Sequence, residues 1–298
     1  MKIMTVCILG GTGFVGRQLV RQLTESGHQL RVLTRRRERH RDLLVLPNLS
    51  LAEVNIHDVQ VLTDQFSGCD AVINLVGILN EKGRDGSGFR RAHVELPRIV
   101  VQACRAAGVP RLLHMSALNA EAATGRSHYL RSKGEGEDLV HSAPDLQVTS
   151  FRPSVIFGPG DSFFNRFGTL LRFSPLMFPL ACPQARFAPV YVGDVASAFV
   201  QSLFESASFG QRYELCGPRI YTLKQLVEYT GQVIQVRRAV IGLGDALSRL
   251  QARILGWLPG KPFSLDNYHS LQTDSVCRGE FPALFNITPT ALEAIVPS

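Results

Sequence analysis

The sequence predicts a doubly wound α/β fold on three observations. Segments of strand length that are apolar throughout recur along the first half of the chain, as strands of a parallel sheet covered on both faces do. Segments with apolar residues at helical spacing separate them. A glycine-rich turn joins the first strand to the first helix.

Residues 3–9 (IMTVCIL) form the first apolar run. Residues 15–26 follow as a helix with Val15, Leu19, Val20 and Leu23 on one face and Gly27 as its stop. Residues 30–34 make a second strand and 49–54 a weaker third. After a short helix, residues 71–76 (AVINLV) make a fourth strand and 91–107 a long amphipathic helix. Residues 111–116 are a fifth strand, 129–142 a helix and 147–157 a sixth strand. There the rhythm breaks. Residues 158–188 are rich in Pro, Phe and Gly, which predicts irregular structure over an apolar pocket bearing Phe163, Phe164, Phe167, Leu170, Leu171, Phe173 and Met177. A short strand at 188–192 and a helix at 194–205, capped by Asp194, come next. Residues 209–298 predict a smaller α+β region.

Composition narrows the class. Of 298 residues, 45% are hydrophobic and 19% charged, which excludes collagenous, coiled-coil and disordered chains. No basic and apolar leader precedes the first strand, so no signal peptide is expected. No apolar run approaches the roughly 20 residues of a spanning helix. Cys7, Cys69, Cys104, Cys182, Cys216 and Cys277 are widely spaced with no C-x-x-C pair, which predicts reduced thiols, no disulfide framework, no metal site and a cytoplasmic protein. The net charge is +7, but the densest basic run, residues 35–41 (RRRERHR), is confined to one segment. That pattern suits a phosphate-bearing small ligand, and with no nucleic-acid-binding signature present a nucleic-acid partner is not expected.

The turn after the first strand reads Gly10-Gly11-Thr12-Gly13-Phe14-Val15-Gly16. Gly10 permits the tight turn, Gly13 lets backbone approach a pyrophosphate, and Gly16 lets the helix lie close to the sheet. Phosphate charge would rest on the free N–H groups of the helix N-terminus. The second strand ends at Arg35 and Arg36, where an NAD-binding protein places an acid for the ribose 2′-hydroxyl; guanidinium groups there suit a 2′-phosphate, hence NADP(H) in preference to NAD(H). The dinucleotide-binding domain is thus expected in residues 1–160, its sheet and helices completed by 187–206, with the smaller substrate- or partner-binding region in 161–298.

Tyr129 and Lys133 stand four residues apart on one helix and therefore on one face. An ammonium beside a phenol stabilises the phenolate and is expected to draw its pKa toward the working range. Ser116 ends the fifth strand, on the side of the sheet where ligands of open α/β folds lie, and could orient a carbonyl.

GGTGFVG, Ser116, YLRSK and RPSVIFGPGD together resemble the short-chain dehydrogenase/reductase superfamily in its extended or atypical form. HMSALNA, YLRSKGEGE, FRPSVIFGPGDSFFNRF and PVYVGDVASA resemble the branch related to the thirty-nine-kilodalton subunit of respiratory complex I, over most of residues 3–230. The resemblance implies that Gly10, Thr12, Gly13, Phe14 and Val15 cradle the pyrophosphate and that Arg35 and Arg36 take the 2′-phosphate. It implies Asp58 and Val59 beside the adenine, and Leu75, Val76 and Gly77 along the ribose. Tyr129 and Lys133 would hold the nicotinamide ribose, and residues from Pro153 to Ile156 would lie along the nicotinamide. Two departures stand out. His93-Val94 occupies the place of the usual Asn-Val pair, either substituting for the asparagine in a proton relay or sitting as a satisfied helix histidine. The fourth strand ends Asn74-Leu-Val-Gly77 in place of an alanine pair.

Two functions follow from this reading. One is NADP(H)-dependent hydride transfer on a small apolar carbonyl or quinone-like substrate, with Tyr129 as acid/base, Lys133 as its tuner and Ser116 as orienter; epimerase or dehydratase chemistry on a sugar nucleotide is a lesser variant. The other is a non-catalytic NADPH-holding accessory or assembly protein of a membrane redox complex. A last segment, 245–258 (DALSRLQARILGWL), places Leu247, Leu250, Ile254, Trp257 and Leu258 on one helical face ahead of a Pro259-Gly260 stop. Either that face packs on the small region, or, as the complex I resemblance implies, it rests on an anionic membrane surface or membrane-embedded partner, which would place the protein at the inner face of a membrane.

Overall fold

Parallel strands buried on both faces carry the molecule, which is a computed structural model describing residues 2–258 and 261–296. The chain runs β1 (Thr5–Leu9), α1 (Phe14–Glu25), β2 (Gln29–Thr34), a short 3-10 segment, β3 (Leu49–Glu53), α2 (Val59–Phe66) and β4 (Ala71–Asn74). Next come α3 (Ser87–Arg90), a π-turn (Arg91–Glu95), α4 (Leu96–Ala107), β5 (Arg111–Met115), α5 (His128–His141) and β6 (Gln147–Pro153). The expected fold class is the observed one. Seven strands, each parallel to its neighbours, form one sheet in which β1 lies between β2 and β4. On one face Ile8, Val32 and Phe151 meet Leu19 and Leu23 of α1; on the other, Leu9 and Val72 meet Phe66 of α2 and Val100 and Cys104 of α4.

The second half departs from expectation in several places. Strand β6 stops at Pro153, and β7 (Ile156–Phe157) leaves the sheet to pair with β10 (Val190–Tyr191). Between them lie α6 (Ser162–Phe173), β8 (Met177–Leu180) and β9 (Arg186–Phe187), so 158–188 is regular structure where an irregular segment was expected. Asp161 makes the helix: its carboxylate accepts from Phe164 N at 2.7 Å, an N-cap hidden among the Pro and Gly residues. The apolar side chains of α6 mostly build a core instead of lining a pocket. Leu171 is buried, with Phe163 and Phe167 against it, in a cluster with Leu180, Leu223, Val227 and Val240, whereas Phe173 and Met177 point to solvent.

Helix α7 (Val192–Ser202) packs on α1. Asp194 does not cap it: the helix begins two residues earlier, and the buried carboxylate accepts from Thr290 N at 2.6 Å and Thr290 Oγ1 at 3.0 Å. The seventh sheet strand is β11 (Arg212–Leu215), parallel to β6, and not the 188–192 strand. The rest comprises β12 (Tyr221–Thr222), α8 (Leu223–Val233), β13 (Ala239–Gly242), α9 (Asp245–Leu255), α10 (Leu265–Ser270) and α11 (Leu292–Ile295). Strand β12 pairs with β9 and β13 with β8.

The cysteines correct a further expectation. Cys7, Cys69 and Cys104 are buried free thiols, but Cys216 and Cys277 form a disulfide. Sixty-one residues separate them, and only the fold, which returns the C-terminal segment to the end of β11, brings their Cα atoms to 5.9 Å.

Candidate active site

The sheet order places a crevice at the carboxyl ends of β1 and β4, where the strand sequence reverses direction. The glycine turn forms one wall. Gly10 has φ +80°, and a Cβ there would press the backbone of Leu75 and Val76 at 3.1–3.2 Å. A Cβ on Gly16 would lie 2.3 Å from Gly10 O, so α1 can lean on the turn only with glycine there. Gly13 N donates to Gly10 O at 3.0 Å, and Gly13 is the N-cap of α1 with no side-chain hydrogen bond closing the first turn. The N–H groups of Phe14 and Val15 therefore belong to an uncapped helix start beside Thr12, the arrangement that takes an anion.

The opposite wall leaves β4. Leu75 N donates to Leu9 O, and the buried Asn74 accepts from Val76 N through Oδ1 at 3.1 Å, turning the chain toward Gly77. The departure at Asn74 is thus a side-chain turn, with Asn74 Nδ2 3.4 Å from His114 Nδ1. Asp58 caps α2, accepting from Gln60 N at 2.9 Å and Val61 N at 3.2 Å, and Val59 is exposed beside it. Arg35 and Arg36 are exposed at the end of β2. Burial first, and then the Arg91 and Arg35 charges, hold His57 below its ordinary pKa, so a cationic rim extends beyond the two arginines expected.

At the centre, Lys133 Nζ donates to Met115 O at 3.0 Å, which carries the ammonium from α5 to the end of β5 and next to Ser116. A Cβ on Gly77 would lie 3.0 Å from the same Nζ. Ser116 is buried, its N–H bonded to Phe151 O, while its Oγ has no hydrogen-bond partner. Pro153 ends β6 with its carbonyl accepting from Leu118 N, and Ile156 lies beyond it on β7. The fold thus gathers the Ser116, Tyr129 and Lys133 elements with the glycine turn and the end of β4.

The expected lowering of the phenol pKa is not met. Burial pushes Tyr129 up to about 12, with Asp266 adding to it. Burial also draws Lys133 down to about 8 against the opposing charge of Glu137. Desolvation and Asp266 set the phenol, while the Lys133 ammonium is engaged by a backbone carbonyl. At neutral pH the phenol is protonated.

His93 is a satisfied histidine. It is buried, and since Ile78 N–H can only donate, Nε2 accepts it at 3.0 Å. Nδ1 then carries the proton and donates to Ser132 Oγ at 2.9 Å. Burial and the neighbouring Lys133 drive its pKa to about 2, so the ring is neutral. Sequence reasoning missed Asp266. From α10 its carboxylate accepts from His128 N at 2.6 Å and Tyr129 N at 3.2 Å, clamping the start of α5 138 residues away along the chain. An ordinary aspartate in an ordinary helix start gave no signal of this.

Residues 6–216 match the model of the NAD dependent epimerase/dehydratase family. The chain belongs to that family. It is an extended short-chain dehydrogenase/reductase of the complex I-related branch: it is 30% identical over 297 residues to the mouse mitochondrial NADH dehydrogenase (ubiquinone) 1 alpha subcomplex subunit 9, covering 96% of this chain and 77% of that protein. It is 35% identical over 198 residues to a ceramide reductase of Caulobacter vibrioides, covering 65% of this chain and 59% of that protein. Among solved structures, Pal from Bacillus thuringiensis superposes with a TM-score of 0.77 at 16% identity over 98% of this chain and 96% of that one, a likeness of fold. The family is a nucleotide-binding one of oxidoreductase type.

Proposed function

We propose that the protein is an NADP(H)-dependent reductase of an apolar, lipid-like carbonyl compound or quinone. The observation that carries the reading is Ser116: a buried hydroxyl with no partner, beside the carbonyl that holds Lys133. An unpaired buried hydroxyl costs about 1–3 kcal/mol, and a substrate oxygen arriving there relieves it. The uncapped start of α1, the positive φ of Gly10 and the exposed Arg35 and Arg36 fit a dinucleotide with a 2′-phosphate. That cofactor, when bound, supplies the hydride. Tyr129 then gives a proton to the substrate oxygen, Ser116 orients that oxygen, and Lys133 holds the ribose and steadies the phenolate left behind. A phenol that is protonated at neutral pH suits the direction in which a proton is given, which is carbonyl reduction. The apolar substrate class rests on the likeness to the ceramide reductase, since the phenylalanines of α6 are mostly committed to a core.

The test is NADPH oxidation against long-chain ketones and quinones. Tyr129→Phe should lower turnover at least about 100-fold while leaving cofactor affinity within about threefold. Undiminished turnover removes Tyr129 from the mechanism. The likeness to the mouse complex I subunit over 96% of this chain supports a second reading, a non-catalytic accessory protein whose bound NADPH stabilises the fold. That reading is favoured if NADPH raises Tm yet no substrate in the panel is turned over.

A further inference from the structure

We infer that Asp266 is a positioning residue for Tyr129, and that the strap to which it belongs, residues 264–277, sets the phenol against the Ser116 hydroxyl. The inference deepens the reductase reading and rests on it. Helix α5 begins with N–H groups that have no partner within the helix. Ser127 Oγ takes one of them, accepting from Leu130 N at 3.1 Å. Those of His128 and of Tyr129 itself are met from across the molecule, where Asp266 Oδ1 accepts the first at 2.6 Å and Oδ2 the second at 3.2 Å. A carboxylate suits this place, since it offers one oxygen to each N–H and its charge is favoured at a helix start. The rings of Phe89 and His93 lie edge-on to the Tyr129 ring at 6.0 and 5.6 Å. Asp266 adds what those contacts lack, a directional tie to the backbone from which the phenol hangs.

Asp266 is itself held. Helix α10 starts in a reciprocal cap, Ser264 Oγ accepting from Asn267 N at 3.2 Å and Asn267 Oδ1 from Ser264 N at 3.0 Å. At the other end of that helix Ser270 Oγ donates to Ser127 Oγ at 2.8 Å, so α10 grips the start of α5 from both its ends. The strap then crosses the carboxyl ends of β5 and β6. Asp274 O accepts from Nδ2 of Asn119, just past Ser116, at 2.8 Å. Ser275 O accepts from Oγ of Ser154, next to Pro153, at 2.7 Å. Cys277 closes the strap through its disulfide to Cys216 beyond β11. One short segment thus touches the three elements that bring Tyr129, Ser116 and Pro153 to the crevice, and its anchors fix their spacing.

The carboxylate also acts on the proton. Burial first, and then Asp266, hold the Tyr129 phenol up at about 12. Facing the ring from other directions are His93 on the π-turn, which is neutral, and the Lys133 ammonium on α5, held at Met115 O. A phenol kept protonated has a proton to give to a substrate oxygen.

The full chain is assayed for NADPH oxidation with long-chain ketones. Asp266→Ala should lower kcat at least about tenfold while KM for NADPH stays within about threefold, because a small displacement of the acid harms the reaction more than the binding. In a chain already carrying Tyr129→Phe, adding Asp266→Ala should cost nothing further, since Asp266 acts through Tyr129. The same variants are compared by NMR with isotope-labelled tyrosine, the Tyr129 signal being assigned by its loss in Tyr129→Phe. That signal should move in Asp266→Ala, and in Asp266→Asn, which keeps one acceptor oxygen and loses the charge, the phenol should ionise at lower pH than in the wild type. A wild type that turns over none of the ketones, with the Tyr129 signal still moving as expected, sinks the reductase reading and leaves the positioning role standing. A Tyr129 signal and ionisation untouched by both variants, or a loss of turnover that adds in full to that of Tyr129→Phe, overturns the proposal. Should Asp266→Ala fail to fold, Asp266→Asn decides by the same measurements.

Discussion

Helices α4 and α9 carry the same kind of pattern and use it in opposite ways. Both repeat large apolar residues at helical spacing. In α4, Leu96, Val100 and Cys104 are fully buried against the sheet. In α9 the equivalent stripe faces outward, and Ser248 and Ala252 take the inward positions. Periodicity reports that a stripe exists and says nothing of which side the rest of the protein will cover. For α4 the answer comes from a sheet that needs covering on both faces. For α9 it comes from a backbone N–H of Cys182 that needs an acceptor, which only a short hydroxyl at position 248 can reach.

The sharpest way to break this comparison is to cut the stripes. Leu96→Ala should cost about 3 kcal/mol of unfolding free energy, as a cavity in a packed core does. Leu250→Ala should change stability by less than about 0.5 kcal/mol. Urea midpoints measure both. A large loss for Leu250→Ala would mean that α9 packs its stripe inward in solution, and the contrast would fall.

A smaller effect separates the two regions by pH. The sheet half keeps His93 and His114 buried and neutral, with pKa values brought down to about 2 and about 3 by burial first and Lys133 second. In the unfolded chain each titrates near the ordinary 6.5. As pH falls below that value the unfolded state takes up protons that the folded state refuses, so stability declines. Each histidine should cost about 2 kcal/mol by about pH 5. His141, brought down to about 4 mainly by burial, adds a similar amount, so denaturant titrations at neutral pH and at that lower pH should show the slope and His114→Gln should flatten it by about a third. A stability independent of pH over this range would contradict the buried, neutral state of both groups.

Legibility followed locality. The glycine turn, the six strand-length runs and the Tyr129–Lys133 spacing could be read because each is written within a few residues. Ser116 was legible because it ends one such strand. What escaped depends on distant segments: Asp266 clamping the start of α5, Thr290 claiming Asp194, Cys277 meeting Cys216, and β11 closing the sheet edge. The helix α6 was hidden differently, since its Asp161 cap is local but lies among residues that usually mark loops. The phenol of Tyr129 went the wrong way because spacing reveals a neighbouring cation and conceals desolvation.

The smallest effect tests whether the cationic end of β2 takes a ligand that the equally cationic α9 does not, as their settings indicate. Arg35 and Arg36 border a glycine turn and an uncapped helix start; Arg249 and Arg253 border exposed leucine and isoleucine. The acid opposite Thr34 in the sheet register, Glu53, is already engaged, accepting from Arg37 N at 2.6 Å, so the end of β2 meets a ligand with guanidinium groups foremost. A 2′-phosphate gains a charge-assisted contact there that a 2′-hydroxyl does not. NADPH should bind about tenfold more tightly than NADH, equivalent to about 1.4 kcal/mol, and the advantage should shrink as salt rises. Arg35→Ala with Arg36→Ala should bring the two cofactors to parity by weakening NADPH alone. Arg249→Glu with Arg253→Glu on α9 should leave both cofactor affinities unchanged. Calorimetric titration of both cofactors into each variant decides it: if the paired alanines spare NADPH, or the α9 reversals weaken it as much, the assignment of the end of β2 to the 2′-phosphate is wrong.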